Sequence, residues 1–167
     1  IDPLNSNKVY AGAVGDNPKV YYSNNKGELW QILNDDLTFT TISGHSQLQI
    51  HPDNKNKVYA GTWGGGTFMS TDAGKNWDRL GTDNWDAPFS PTCLAISPSD
   101  PNVIYACDRT SPQIWRHNNA GVDEGPHNWF PYYSFEEDEY MTTSAVAVHP
   151  TDSNKIYMAA FKPPIAH

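Results

Sequence analysis

Short apolar stretches recur along the chain in a fixed phrase. Ile1-Asp2-Pro3, Ile50-His51-Pro52, Ile96-Ser97-Pro98 and Val148-His149-Pro150 share one pattern, and the last three each end an apolar segment. Nine residues after each first member stands a tyrosine: Tyr10, Tyr59, Tyr105 and Tyr157. These lie in Val9-Tyr10-Ala11, Val58-Tyr59-Ala60, Ile104-Tyr105-Ala106 and Ile156-Tyr157-Met158. Polar links such as Asp53-Asn54-Lys55-Asn56 separate the two apolar parts. Apolar segment, turn formers and apolar segment predict a strand, a turn and a second strand. The phrases start 49, 46 and 52 residues apart, which makes the chain a repeat protein.

A second motif completes the repeat. Ser70-Thr71-Asp72-Ala73-Gly74-Lys75-Asn76-Trp77 has the form Ser-x-Asp-x-Gly-x-x-Trp. Ser23 to Trp30 repeats it, with Asn25 at the aspartate position and Gly27 and Trp30 in place. His117-Asn118-Asn119-Ala120-Gly121 begins a third copy, with an insertion before Trp129. A short polar side chain can accept backbone N–H groups and hold a tight turn, so Asp72 is read as a turn holder rather than a catalytic carboxylate. Gly74 can take positive φ, and Trp77 offers a large face to pack beneath the hairpin.

On these motifs the chain resembles the Asp-box β-propellers. That group includes sialidases, sortilin-type receptors, xyloglucan-acting glycoside hydrolases and photosystem II assembly factors. The resemblance implies an all-β partial propeller of four-stranded antiparallel blades, with the Asp boxes at the turns between third and fourth strands. Strand A ends at each Ile/Val-x-Pro, B carries the tyrosine, C leads into the box and D follows its tryptophan. Residues 1–167 then form a single propeller segment of about three blades, with blade parts 1–44, 45–90, 91–142 and 143–167. A propeller closes with 4–8 blades, so further blades of the same chain or of a partner chain are expected.

Composition narrows the partners. The 19 acidic and 11 basic residues give a net charge of −8, against binding along a nucleic-acid backbone or an anionic membrane surface. No apolar run reaches membrane-spanning length, so no membrane insertion is expected. The two cysteines, Cys93 and Cys107, belong to no Cys-x-x-Cys motif, so zinc, redox and haem signatures are absent and no cofactor or metal is expected. Pairing Ile96 with Ile104 across the intervening turn sets Cys93 directly opposite Cys107, within disulfide reach. The resemblance implies an extracellular, cell-surface or periplasmic location, where such a pair oxidises. The alternative is two small thiols filling space between blades.

In an antiparallel blade the A–B and C–D turns share one face, and the B–C loops and D-to-A connections share the other. Enzymes of this resemblance carry their active site on that second face. Its candidate ligand-binding residues are Trp63, Asp83, Trp85, Asp86, Asp108, Arg109, Glu136 and Tyr140, with Phe89, Gln113, Glu137, Asp138 and Glu139 nearby. Aromatic rings beside carboxylates suit sugars, because rings stack on pyranose C–H faces and carboxylates accept from hydroxyls. The plainer alternatives are solvated acidic loops and a Trp85 that fills a gap between blades. His51 and His149 are read as turn histidines; His117 and His127 flank Asp123 and Glu124 at no familiar zinc spacing. Gly64-Gly65-Gly66 lacks a following helix or Lys-Ser/Thr, so it is read as a tight B–C turn rather than a phosphate loop. Sialidases use an arginine triad and an Arg-Ile-Pro segment; the chain has only Arg79, Arg109 and Arg116 and no such segment, so sialidase activity is not expected of this stretch. The expected function is a binding or scaffold module for a glycan or protein ligand. The alternative is a xyloglucan-acting glycoside hydrolase, which needs two carboxylates facing one bond; the sequence names no catalytic pair.

Overall fold

A computed structural model describes residues 1–12, 19–34, 47–62, 65–81, 90–108, 113–118, 129–134 and 142–161. Among these residues every regular element is a strand, and no helix is present to cross a membrane. The strands form four antiparallel sheets in chain order. The first holds β1 (Val9–Gly12), β2 (Val20–Ser23) and β3 (Gln31–Asn34). The second holds β4 (Gln47–His51), β5 (Asn54–Thr62), β6 (Gly66–Ser70) and β7 (Asp78–Arg79). The third holds β8 (Pro91–Ile96), β9 (Ile104–Asp108), β10 (Gln113–His117) and β11 (Trp129–Ser134). The last holds β12 (Thr142–His149) and β13 (Asp152–Phe161). Every sheet is a meander in sequence order, so the chain is an all-β partial propeller.

The link read as turn from Asp53 to Asn56 is tighter than expected. His51 pairs with Asn54, and β5 starts there. A register shift between Ile50 and His51 absorbs the extra residues. The His149–Asp152 pairing repeats the arrangement in the last sheet.

Alternation along the tyrosine strands builds the core. Val58 faces the first sheet, in a cluster with Tyr10 and Val20. Tyr59 faces the third, in a cluster with Leu94, Ile104, Ala106 and Trp129. Tyr105 in turn faces the last sheet, packed on Val146, Val148 and Ile156. One residue of offset turns a side chain to the other face of a strand, so the Val58-Tyr59 and Ile104-Tyr105 pairs each serve two interfaces. The Ile104–Asp108 strand and the Lys57–Thr62 half of β5 are buried along their length. Burial of a large apolar side chain contributes about 1.5–3 kcal/mol, so these two strands anchor the segment.

Hydrogen bonds between sheets repeat as well. The Tyr10 hydroxyl donates to Ala73 O of the second sheet at 3.3 Å, and the Tyr105 hydroxyl donates to Ser153 O of the last at 2.8 Å. Burial is the main reason both phenols are pushed up to about 12, which keeps them protonated donors. Around Tyr105 the third sheet grips the β12–β13 turn. Arg116 Nη1 donates to Asn154 Oδ1 at 2.6 Å, and the Tyr132 hydroxyl donates to Asn154 O at 2.5 Å. The Arg116 guanidinium lies 5.7 Å and 5.8 Å from the Tyr105 and Tyr132 ring centres.

Candidate functional site

The Ser-x-Asp/Asn-x-Gly turns come first, because they fix one face of the molecule. Ser70 Oγ accepts from Asp72 N at 3.3 Å and Gly74 N at 2.7 Å, and donates to Asp72 Oδ1 at 2.9 Å. Asp72 Oδ1 also accepts from Lys75 N at 3.0 Å and Asn76 N at 2.8 Å. In the first sheet Ser23 Oγ accepts from Gly27 N at 2.9 Å, and Asn25 Oδ1 accepts from Leu29 N at 2.9 Å. Gly74 sits at φ +90°, and a Cβ there would meet Leu33 of the neighbouring sheet. Asp72 is thus engaged within its own turn. Asn119, in the third copy, lies outside the described residues.

Burial acts to raise the Asp72 carboxyl, but the donors from Asn76, Ser70 and Lys75 outweigh it and hold its pKa below the usual value. A depressed folded-state pKa gives stability that is present above the unfolded value, about 3.9, and lost as pH falls through the folded one. Asp72→Asn should therefore flatten the acid limb of a stability–pH curve. At neutral pH it should cost about 1 kcal/mol, the difference between charged and neutral acceptors, since Asn25 already fills the role once. Urea denaturation from pH 2 to 7 reads both; an acid limb unchanged by the substitution would show that Asp72 is not the group titrating.

The middle residue of each Ile/Val-x-Pro phrase does a related job. Asp2 Oδ1 accepts from Leu4 N at 2.8 Å, and Ser97 Oγ accepts from Asp100 N at 3.2 Å. His51 Nδ1 accepts from Asp53 N at 3.1 Å, and His149 Nδ1 from Thr151 N at 3.3 Å. Burial, the largest influence, lowers the His51 pKa and favours the neutral ring this bond requires. His117 is buried edge-on against Trp129, with ring centres 5.2 Å apart. His127, Asp123 and Glu124 lie outside the described residues. Among the described residues no three His, Cys, Asp or Glu side chains are grouped to hold a metal ion.

On the opposite face the structure describes less. Cys93 pairs with Cys107 across β8 and β9, and the two are joined in a disulfide with Cα atoms 5.2 Å apart. Asp108, the next residue, is buried at the end of β9. Gln113 begins β10 one position before the Ile114–Cys107 pair, so the two side chains flank the mouth of the same loop. Trp63, Asp83, Trp85, Asp86, Arg109, Glu136 and Tyr140 lie outside the described residues, as do Phe89, Glu137, Asp138 and Glu139. Gly65 and Gly66 close a tight β5–β6 turn: Thr62 pairs with Gly66, which takes φ +89°, and the Thr62 hydroxyl donates to Gly66 O at 2.9 Å.

Among the described residues, two grooves run between sheets. One, of about 400 Å³, is lined by Ile1, Pro3, Ile50, Pro52, Ile96 and Pro98 together with Tyr10 and Leu48. It runs along the ends of the Ile-x-Pro phrases. The repeat brings these residues together, and their common position in it was the signal available in the sequence. The other, of about 460 Å³, lies over the first two turns, with Lys8, Asn24, Asn56, Asp72 and Lys75 on its walls beside Tyr22, Leu33 and Ala73.

The fold has solved counterparts. An ancestral GH74 enzyme superposes with a TM-score of 0.70 at 22% identity, over 95% of this chain and 21% of its own. The Niastella koreensis GH74 enzyme gives 0.73 at 20% identity, over 95% of this chain and 24% of its own. YCF48 bound to D1 peptide gives 0.53 at 17% identity, over 89% and 42%. The chain thus spans between a fifth and a quarter of the two GH74 enzymes, and at these identities the likeness is one of fold. No curated protein sequence matches it significantly. The family model described as sortilin, neurotensin receptor 3, matches residues 18–143, well over half of the sequence. The chain belongs to the Sortilin-Vps10 family.

Proposed function

We propose that the chain is a segment of an extracellular, cell-surface or periplasmic propeller that binds a glycan or protein ligand on the face opposite its Asp-box turns. The blade parts in this reading are 1–44, 45–90, 91–142 and 143–167, and further blades of the same chain or a partner chain complete the ring. The observation that carries it is the Cys93–Cys107 disulfide at the root of the loop that begins with Asp108 and Arg109. The cross-link makes the scaffold rigid at the end of β9, and a rigid strand end is what a binding loop needs as its support. The bond itself fits an oxidising compartment. Family membership supports a binding role, as does the likeness to YCF48, whose solved structure holds a D1 peptide. The aromatic and acidic candidates Trp63, Asp83, Trp85, Asp86, Glu136 and Tyr140 would supply the contacts.

Calorimetric titration with xyloglucan oligosaccharides and with a panel of peptides tests the reading, alongside an assay for released reducing sugar. Saturable binding to one class is expected, weakened at least tenfold by Trp85→Ala with Asp86→Ala, with no sugar released. A stacked aromatic and a hydrogen-bonded carboxylate together account for at least the ~1.4 kcal/mol that a tenfold change represents. Binding that ignores these substitutions would remove the site from this face. Release of reducing sugar would make the chain a hydrolase, and no binding to either class would overturn the proposal.

A further inference from the structure

The groove over the first two Asp-box turns lies between the first and second sheets, so neither wall is an outer face of the chain's first or last sheet. Its frame is fixed by hydrogen bonds. Ala73 N donates to Asn56 O at 2.7 Å, Ala73 O accepts from the Tyr10 hydroxyl at 3.3 Å, and Lys26 N donates to Asn7 O at 2.9 Å. These bonds tie each Asp-box turn to the Ile-x-Pro turn of its own sheet, and tie one sheet to the next. The Lys8 ammonium stands over the Tyr10 ring at 4.9 Å, half-buried and with no carboxylate partner among the described residues. Asn24 and Asn56 line the same space, and among the described residues no hydrogen bond engages either side-chain amide. Asp72 is also on the wall, but Asn76 engages both of its carboxylate oxygens. Tyr22 and Leu33 add apolar surface. The four turns at 1–8, 23–30, 51–57 and 70–77 hold five lysines against four carboxylates, in a chain of net charge −8. An anion therefore meets less repulsion here than over the rest of the chain.

We propose that this groove is a second binding site, for an acidic oligosaccharide whose rings carry carboxylate or sulfate groups. It lies on the face opposite the loop-face site and does not depend on it. Lys8, steadied by the Tyr10 ring, meets the anionic group. The Asn24 and Asn56 amides each offer both donors and an acceptor, which suits the hydroxyls of a sugar ring. Tyr22 and Leu33 cover its C–H faces. The groove's volume of about 460 Å³ is that of a small-ligand site. Because its walls are already tied together, little has to be ordered on binding. An acidic peptide could meet Lys8 as well, but it lacks the ring hydroxyls that the two amides suit.

Calorimetric titration of the intact protein with tetragalacturonate, its methyl ester, a sulfated heparin tetrasaccharide and tetraglutamate tests this. Saturable binding of tetragalacturonate or the sulfated tetrasaccharide is expected, and the tighter of the two identifies the anionic group. The methyl ester and tetraglutamate should bind more weakly than the preferred acidic sugar. Lys8→Met keeps the aliphatic stem on Tyr10 and removes the charge, so it should weaken binding about tenfold or more, the loss expected of a charge-assisted hydrogen bond. Asn56→Asp, at an exposed position, sets a carboxylate in the groove and should weaken it as well. Both variants should keep the wild-type circular dichroism, and Trp85→Ala with Asp86→Ala should leave this binding unchanged. No binding of either acidic sugar would overturn the proposal. So would binding undiminished in the folded Lys8→Met and Asn56→Asp variants, binding lost with Trp85 and Asp86, or tetraglutamate or the methyl ester binding as tightly. The loop-face test uses neutral sugars, peptides and substitutions on the other face, so the two failures are separable.

Discussion

Replacing Trp129 with alanine is expected to cost about 3–5 kcal/mol of stability, the largest effect of any single side chain considered in this fold. Trp129 is 4% exposed and packs in the cluster that joins the second and third sheets, with Tyr59, Leu94 and Ile104. Its indole N–H donates to Leu80 O at 2.9 Å, crossing from the third sheet to the second. Removing the ring opens a cavity at an interface and leaves the Leu80 carbonyl without that donor, and both effects act in one direction. The two equivalent tryptophans provide an internal comparison. Trp77 is half-buried, and its N–H donates to Gly74 O within its own turn at 2.9 Å. Trp30 is 44% exposed. Guanidinium denaturation of the three alanine variants should rank them Trp129, Trp77, Trp30, with Trp30→Ala near the ±0.5 kcal/mol of an ordinary surface change. Equal losses at Trp129 and Trp30 would mean that the interface between the sheets is not formed as described.

Breaking the Cys93–Cys107 disulfide is the second large effect. The cysteines are 14 residues apart in sequence, and a cross-link closing a loop of about 15 residues contributes about 3 kcal/mol in the chain-entropy treatment. The double variant Cys93→Ala, Cys107→Ala should lower the denaturation midpoint accordingly. Its midpoint should not respond to dithiothreitol, whereas the wild-type midpoint should fall on reduction. A wild type indifferent to reductant throughout its transition would contradict the assignment. Because Asp108 follows directly, the alanine pair should also loosen the loop it begins, which calorimetry would register as weaker ligand binding.

What the sequence made legible follows from period and register. The spacing from Ile50 to Tyr59, repeated three more times, specified the strand–turn–strand unit. The pairing of Ile96 with Ile104 carried Cys93 opposite Cys107, because antiparallel register is rigid over a few residues. Burial was less legible, because it depends on what the next sheet offers. Trp77 packs against its own turn as expected, with its indole N–H on Gly74 O, but it is only half-buried there, whereas the equivalent Trp129 is buried. The grip of Arg116 and Tyr132 on Asn154 was likewise unreadable, since it joins residues of different repeats through long, flexible side chains. The candidate ligand residues, apart from Asp108, lie where the structure makes no statement, so sequence chemistry alone supports them.

The central claim is that successive sheets are held as one body by a tyrosine strand buried on both faces. Hydrogen exchange read by mass spectrometry on the wild type and on Tyr105→Phe tests it most directly. Peptides covering Lys57–Thr62 and Ile104–Asp108 should exchange slowest, because these strands are paired on both sides and buried. Tyr105→Phe removes the bond to Ser153 O, so exchange should rise in Asp152–Phe161 as well as in Ile104–Asp108. A rise confined to Ile104–Asp108, with Asp152–Phe161 exchanging as before, would show that the sheets open independently and would contradict the account.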